Sequence, residues 1–138
     1  MRVQSYLGKW NWVPEFTGMA TKASSLTETI NLDPLPAQED AGLLFSGYLQ
    51  VPEAGDWTFH CEATGGFIFK IHNKLVIDGD YNYDEAAISG TVKLAKGLHP
   101  YRLYYRTSAG KPALSFQWEG PNTVTGPVPV EALLVEGP

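Results

Sequence analysis

Hydrophobic and polar residues alternate along the middle of the chain with the period of two that is typical of β-strands. In residues 43–51, every second position from Phe45 to Val51 is apolar or glycine, and the positions between them are serine, tyrosine and glutamine. The same alternation, or a short apolar run, recurs in residues 57–63, 67–71, 75–77, 89–94, 101–105 and 114–118. Short strands at this spacing predict an all-β sandwich or barrel.

Turn residues separate these predicted strands. Pro52 opens a turn over residues 52–56, because proline presets the φ angle of the second turn position. The pair Gly65 and Gly66 is predicted to close a hairpin between the strands on either side, and residues 72–74 form another tight turn.

The two ends of the chain are less regular. Residues 2–38 predict no clear strand, and their apolar residues gather near Trp10 and Trp12. One of these tryptophans is either an exposed stacking platform or packs against the edge of the sandwich. Residues 128–134 predict either a last edge strand or a single helical turn.

Composition supports a folded domain of short strands, since 14 glycines and 10 prolines interrupt a chain of 138 residues. A net charge of −5 and scattered basic residues argue against nucleic acid as a partner. No apolar run approaches the roughly 20 residues that cross a bilayer, so we expect no membrane insertion. The single cysteine, Cys61, excludes an internal disulfide, and its alternation with Phe59 and Ala63 predicts a buried core thiol.

Four stretches, in order, resemble the PA14 domain family, a β-sandwich module attached to bacterial glycosidases and sulfatases and to yeast adhesins. They are GYLQVPEAGDWTF (47–59), IHNKLVID (71–78), GTVKLAKGLHPYRLYY (90–105) and LSFQWEGP (114–121). The resemblance implies a PA14-like antiparallel β-sandwich or barrel over residues 1–138, as one domain excised from a larger protein. It also implies an extracellular, periplasmic or cell-surface location.

One short segment departs from that family. Sugar-binding members carry Ser-Asp-Asp-Gly, whose two aspartates, joined by a cis peptide, hold a calcium ion that grips the sugar. The matching residues here are Ala63, Thr64, Gly65 and Gly66. Calcium takes six to eight oxygen ligands, several of them carboxylates, and neither Thr64 nor Gly65 supplies one. We therefore expect no metal and no cofactor, and a calcium-independent way of binding.

The loop at residues 78–85 is the best candidate for ligand contact, because it combines carboxylates, an amide and aromatic rings. These groups bind sugars through hydrogen bonds and ring stacking. Its candidate ligand-binding residues are Asp78, Asp80, Tyr81, Asn82 and Tyr83.

Two other interpretations of this loop stay open. It is a solvated connection in which Asp78 and Asp80 cap backbone amides, or an atypical calcium loop. The calcium pattern fails at its sixth position, Tyr83, where glycine is required, and at its twelfth, Ser89, where glutamate is required.

The three histidines have no metal-ligand spacing. His99 lies in the family's Gly-x-His-Pro and is expected to fix a turn through a backbone hydrogen bond. His72 is expected to be exposed and is added to the candidate ligand contacts, and His60 is expected to have a structural role.

No nucleophile elbow, phosphate loop or Cys–His setting is present, so the sequence predicts no enzyme. We predict a monomeric, non-catalytic, carbohydrate-associated module of a secreted multidomain protein such as a glycosidase or sulfatase. Its partner would be a carbohydrate or a neighbouring catalytic domain. The alternative is a structural or protein-interaction domain with no ligand of its own.

Overall fold

A computed structural model describes residues 1–36, 40–80, 86–108 and 110–135. The strands are β1 (Arg2–Leu7), β2 (Ala23–Leu26), β3 (Ala41–Val51), β4 (Gly55–Thr64), β5 (Gly66–Ile71), β6 (Lys74–Gly79), β7 (Ile88–Leu94), β8 (Gly97–Arg106), β9 (Ala113–Gly120), β10 (Thr123–Pro127) and β11 (Leu133–Leu134). Two short 3-10 helices span Phe16–Gly18 and Val130–Ala132. No helix within these ranges is long and apolar enough to cross a membrane.

The strands form two antiparallel sheets. The larger sheet has the order β2-β1-β3-β8-β5-β6, and β11 pairs with β3 beyond the end of β1. The smaller sheet has the order β10-β9-β4-β7. An all-β sandwich is therefore confirmed, and each predicted strand from residue 43 to residue 118 is present.

Aromatic side chains fill the space between the two sheets. Trp57 and Trp118 of the smaller sheet lie with their ring centroids 4.6 Å apart. Phe69 of the larger sheet packs 4.9 Å from Phe59 and 4.8 Å from Phe116, so these rings join the two sheets. Burying a large apolar side chain contributes about 1.5–3 kcal/mol. This layer is the main source of stability.

The N-terminal region is more regular than the sequence predicts. Residues 2–38 contain β1 and β2, which extend the larger sheet next to β3. The sequence pattern does not reveal β1, because this strand has buried residues on both faces and so lacks a simple alternation.

The segment after β1 covers the outer face of the larger sheet. Phe16 is fully buried there and stacks on Tyr6, with centroids 4.6 Å apart. A side chain on Gly42 of β3 would collide with the Phe16 ring, so glycine permits this close packing. A second, smaller core forms around Tyr6, Val13, Phe16, Leu44 and Tyr104.

The predicted hairpin at Gly65 and Gly66 is wrong. The strand before these residues, β4, pairs with β7 and β9, whereas β5 pairs with β6 and β8. The two glycines therefore carry the chain from one sheet to the other. Gly65 has a φ of 120°, which side chains rarely tolerate, and this explains a glycine at the crossing.

The turn between β5 and β6 agrees with the prediction. His72 and Asn73 have φ angles of 53° and 63°, the left-handed pair that two-residue hairpins prefer. At the C-terminus the structure combines both alternatives, because the 3-10 helix Val130–Ala132 is followed directly by β11.

Cys61 lies in the main core with 1% of its surface exposed, as the alternation predicts. Burial raises the pKa of its thiol to about 12. Because the thiolate is the reactive form, this cysteine is chemically inert in the folded protein.

Candidate ligand-binding surface

The candidate loop begins at the end of β6. Asp78 is exposed within β6, and Asp80 follows the strand directly. Oδ1 of Asp78 accepts a hydrogen bond from the backbone N–H of Asp80 at 3.0 Å, which is an amide-capping contact. The candidates Tyr81, Asn82 and Tyr83 lie outside the described residues.

The Asp80 side chain connects three segments of the chain through hydrogen bonds and an ion pair. Its side chain is 9% exposed, and its Oδ1 lies 3.3 Å from Nε of Arg106, whose side chain is 16% exposed. Its Oδ2 accepts a hydrogen bond from the backbone N–H of Val13 at 2.7 Å. The carboxylate therefore holds β8 and the segment after β1 at the end of β6.

Thr64 and Gly65, which replace the two calcium-binding aspartates of the family, lie beside the contact between Asp80 and Arg106. A side chain on Gly66 would meet both Asp80 and Arg106, so the carboxylate and the guanidinium lie directly against the sheet crossing. The backbone oxygen of Thr64 accepts a hydrogen bond from the Tyr105 hydroxyl.

A calcium ion does not fit the described part of this corner. The Asp80 carboxylate already serves a guanidinium and a backbone amide, and Thr64 and Gly65 add no carboxylate. Within the described ranges, no three His, Cys, Asp or Glu side chains are grouped to hold a metal.

Trp12 is an exposed aromatic residue next to this corner, and it is not among the candidate ligand-binding residues of the loop. Its side chain is 67% exposed, although it immediately precedes the buried residue Val13 that Asp80 fixes. Trp10 instead packs edge-on against Phe16, with centroids 5.4 Å apart. The sequence left open which tryptophan is exposed, and the structure shows that Trp12 is exposed whereas Trp10 is partly buried against the smaller core.

A groove lies beside the neighbouring Val13 on the outer face of the larger sheet. It has a volume of about 140 Å³ and is lined by Val13, Pro14, Glu15, Ile68, Lys70 and Tyr104. Apolar, aromatic and charged groups thus lie side by side in it. This mixture is typical of small-molecule sites, where apolar walls carry a few polar groups.

Glu15 is held at the edge of the groove. The Tyr104 hydroxyl donates to Oε1 of Glu15 at 3.0 Å, and Nζ of Lys70 lies 3.7 Å from Oε2. Partial burial raises the pKa of Glu15, but hydrogen bonds from Tyr104 and Thr17 and the Lys70 charge outweigh it, and the pKa lies below its ordinary value. Lys70 also lies 5.2 Å from the centre of the Tyr104 ring.

A second cavity continues in the same direction toward the β5–β6 turn. It has a volume of about 130 Å³ and is lined by Lys70, His72, Asn73, Pro100, Tyr101 and Arg102. Lys70 lines both cavities, so they are neighbours on one face of β5 and β8.

His72 and Asp80 lie at opposite ends of the β5–β6 hairpin. His72 is in the turn, and Asp80 follows the far end of β6, a strand of six residues or about 20 Å. The structure therefore does not bring His72 together with the aspartates, although all three border the larger sheet.

His72 is exposed, as expected, and forms a pair with His99. Its Nε2 lies 2.7 Å from Nδ1 of His99, and Nε2 of His99 lies 2.8 Å from the backbone oxygen of Ala95. The expected role of His99 in fixing a turn is confirmed. His60 links strands of the smaller sheet, with Nδ1 near Ser89 and Nε2 at 2.8 Å from Glu119.

The architecture defines a β-sandwich with two small neighbouring cavities on one outer face. Comparison with known families identifies the kind of sandwich, because the PA14 domain profile matches residues 14–130. The chain belongs to the PA14 domain family, as the four sequence stretches indicate. A comparison with curated proteins gives no match.

Three solved structures share this fold. An anti-sigma factor domain-containing protein from Clostridium clariflavum is 23% identical with a TM-score of 0.78, and the match covers 99% of this chain and 47% of that one. A PA14 sugar-binding domain from an RTX adhesin is 19% identical with a TM-score of 0.60, over 71% of this chain and 55% of that one.

The third is the epithelial adhesin 9 A domain from Candida glabrata, in complex with Galb1-4GlcNAc. It is 14% identical with a TM-score of 0.68, over 98% of this chain and 89% of that one. At these identities the likeness concerns the fold. The chain spans 47% of the length of the first of these structures.

Proposed function

We propose that this domain is a non-catalytic carbohydrate-binding module that needs no calcium. Its sugar site is the rim formed by Trp12 and the loop that starts at Asp78, with the adjoining groove. The module acts outside the cell or at its surface, as one domain of a larger protein. We favour a glycosidase or a sulfatase as the neighbouring catalytic domain in that protein.

The exposed Trp12 ring is the observation that carries this proposal. A large aromatic side chain with 67% exposure is not placed there by packing. The backbone that carries it is nevertheless anchored, because the N–H of the next residue donates a hydrogen bond to Asp80. Flat aromatic faces bind the apolar faces of sugar rings, and a fixed platform loses less entropy on binding.

The fold relatives add support for this class of ligand. The adhesin domain from Candida glabrata carries a disaccharide, and the RTX adhesin domain is described as sugar-binding. The corner beside Gly65 favours a calcium-independent mode, since Arg106 supplies a fixed positive charge next to Asp80 there.

A glycan array, probed once with calcium and once with chelator, tests the proposal. We expect binding to at least one glycan class at equal strength in both conditions. Loss of binding with chelator would show that the calcium-independent mode is wrong. Absence of binding to every glycan would favour a structural or protein-interaction domain instead.

Substitution of the platform then locates the site. Trp12→Ala should weaken binding about tenfold, whereas Trp12→Phe should retain most of it. Val124→Ala, at an exposed position on β10 of the other sheet, is the matched control and should bind normally. Tyr81→Ala and Tyr83→Ala test the loop, and unchanged affinity in both would restrict the site to Trp12 and the groove.

A further inference from the structure

We propose that the cavity beside Arg102 binds the acidic group of an anionic glycan, a carboxylate or sulfate. This inference rests on the proposed carbohydrate binding and specifies its ligand class. The cavity shares Lys70 with the groove beside Val13, so a glycan chain bound along that groove would extend toward it.

Charge distinguishes this cavity from the rest of the molecule. The protein has a net charge of −5, yet among the described residues the cavity is lined by Lys70, Arg102 and His72 and by no carboxylate. The Asn73 amide adds neutral hydrogen-bond donors. Two cationic side chains next to an amide are suited to an oxyanion.

Arg102 is the principal anion ligand. Its side chain is half-buried on β8 and lies beside the Tyr104 hydroxyl, and within the described part of the chain it forms no ion pair. A guanidinium offers parallel N–H donors that match a carboxylate or sulfate in two bonds. Arg106, in contrast, is already paired with Asp80.

Lys70 contributes less to anion binding than Arg102, because its ammonium group also interacts with Glu15. Its Nζ lies 3.7 Å from Oε2 of Glu15, so part of its charge is already compensated. Glu15 also places a negative charge at the neighbouring cavity. Removing that charge should therefore strengthen anion binding.

His72 contributes a ring nitrogen. With Nε2 of His99 donating to the Ala95 oxygen, Nδ1 of His99 accepts, and Nε2 of His72 is then the donor to it. Nδ1 of His72 has no partner among the residues the structure describes. His72 is therefore a polar neighbour of the cavity, and the charged donors there are Lys70 and Arg102.

The two cavities lie side by side along β8 and share Lys70. Along β8 the outward positions are Tyr104, Arg102 and Pro100, and the first and last are about 13 Å apart in an extended strand. This length exceeds a single sugar ring. The surface therefore suits a short glycan chain whose acidic group lies beside Arg102.

Titration calorimetry with small sugars tests the anion site directly. The probes are methyl glucuronide and glucose 6-sulfate, with methyl glucoside as the neutral control and inorganic sulfate as the sugar-free anion. We expect both acidic sugars to bind at least tenfold more tightly than the neutral one, and to weaken in 0.5 M salt. Equal binding of acidic and neutral sugars would overturn the proposal.

Variants assign the effect to the cavity. Arg102→Gln should weaken the acidic sugars about tenfold and Arg102→Lys less, because lysine keeps the charge without the two-bond geometry. Glu15→Gln should strengthen them. The matched controls are Arg2→Gln on β1 and Lys93→Gln on β7, which make the same charge change at exposed positions elsewhere and should leave binding unchanged.

Different results would contradict the proposed sugar binding at Trp12 and the proposed anion site beside Arg102. Trp12→Ala should reduce binding of neutral glycans and leave binding of glucose 6-sulfate in place. If neutral glycans bind and the acidic sugars show no preference or no response to Arg102→Gln, only the anion site is wrong. If acidic sugars bind but no neutral glycan does, the Trp12 platform is wrong and the anion site stands.

Discussion

The backbone N–H of Val13 donates a hydrogen bond to Oδ2 of Asp80 over 2.7 Å, although the two residues are 67 positions apart. Through this contact the end of β6 fixes the segment that carries Trp12. Asp80 was predicted from sequence as a direct ligand contact. The structure shows that its carboxylate contacts Arg106 and the backbone next to Trp12, and ligand contact by Asp80 stays a prediction.

Removing the Asp80 carboxylate should destabilise the protein. Asp80→Ala leaves the Arg106 guanidinium and the Val13 N–H without their partner, and we expect a loss of about 2–3 kcal/mol in the free energy of unfolding. Asp80→Asn should lose less, because an amide oxygen still accepts from Val13. Urea denaturation measures both. Asp56→Ala, at an exposed position of β4, is the control, and an equal midpoint for it and Asp80→Ala would contradict the structural role.

The sheet crossing should require glycine at position 65. Gly65→Ala places a Cβ against the backbone oxygen of Arg106 at a φ of 120°, and we expect about 1–3 kcal/mol of destabilisation. Thermal unfolding checks this. Gly126→Ala is the matched control, since a Cβ there meets nothing within 4 Å. A similar melting temperature for the two variants would show that the crossing tolerates side chains.

The Cys61 thiol should resist labelling in the native protein. Its pKa of about 12 and its burial leave almost no accessible thiolate at pH 8. A thiol reagent should react completely in 6 M urea and not measurably within an hour in buffer. The Cys61→Ala, Ser115→Cys double variant carries an exposed thiol on β9 and should label at once. Rapid native labelling of Cys61 would show that the core opens readily.

The ionisation of Glu15 should make the free energy of unfolding depend on pH in the acidic range. Its pKa in the folded protein lies below the ordinary value of 4.5, so its contribution is present above the unfolded pKa and is lost as the pH falls through the folded pKa. Glu15→Gln should therefore lower the urea midpoint at pH 7 and have little effect at pH 3. Glu28→Gln, at an exposed position after β2, controls for net charge. An equal effect of Glu15→Gln at both pH values would exclude this ionic contribution.

The alternation of side chains was sufficient to predict most of the fold. Positions such as Trp57, Phe59 and Cys61 face the core because a strand places every second side chain on one face, and burial of apolar surface selects that face. The left-handed turn at His72 and Asn73 was likewise a local property. For the same reason the inert character of Cys61 was readable from its neighbours.

The alternation does not say which sheet a strand joins. Gly65 and Gly66 have the composition of a hairpin turn, but β4 and β5 belong to different sheets. Pairing is decided by the packing of the whole sandwich. For the same reason β1 could not be predicted from the alternation. Its outward residue Tyr6 is buried by Phe16, which belongs to a later segment of the chain.

The sequence by itself determined an all-β chain, its core residues and its family resemblance, because these depend on the local period and on short motifs. Only the tertiary structure decided which polar residues meet. Asp80 contacts Arg106 and Val13, His72 contacts His99, and Lys70 lines two neighbouring cavities. Such contacts join residues far apart in the chain, and their distances are set by strand pairing and register.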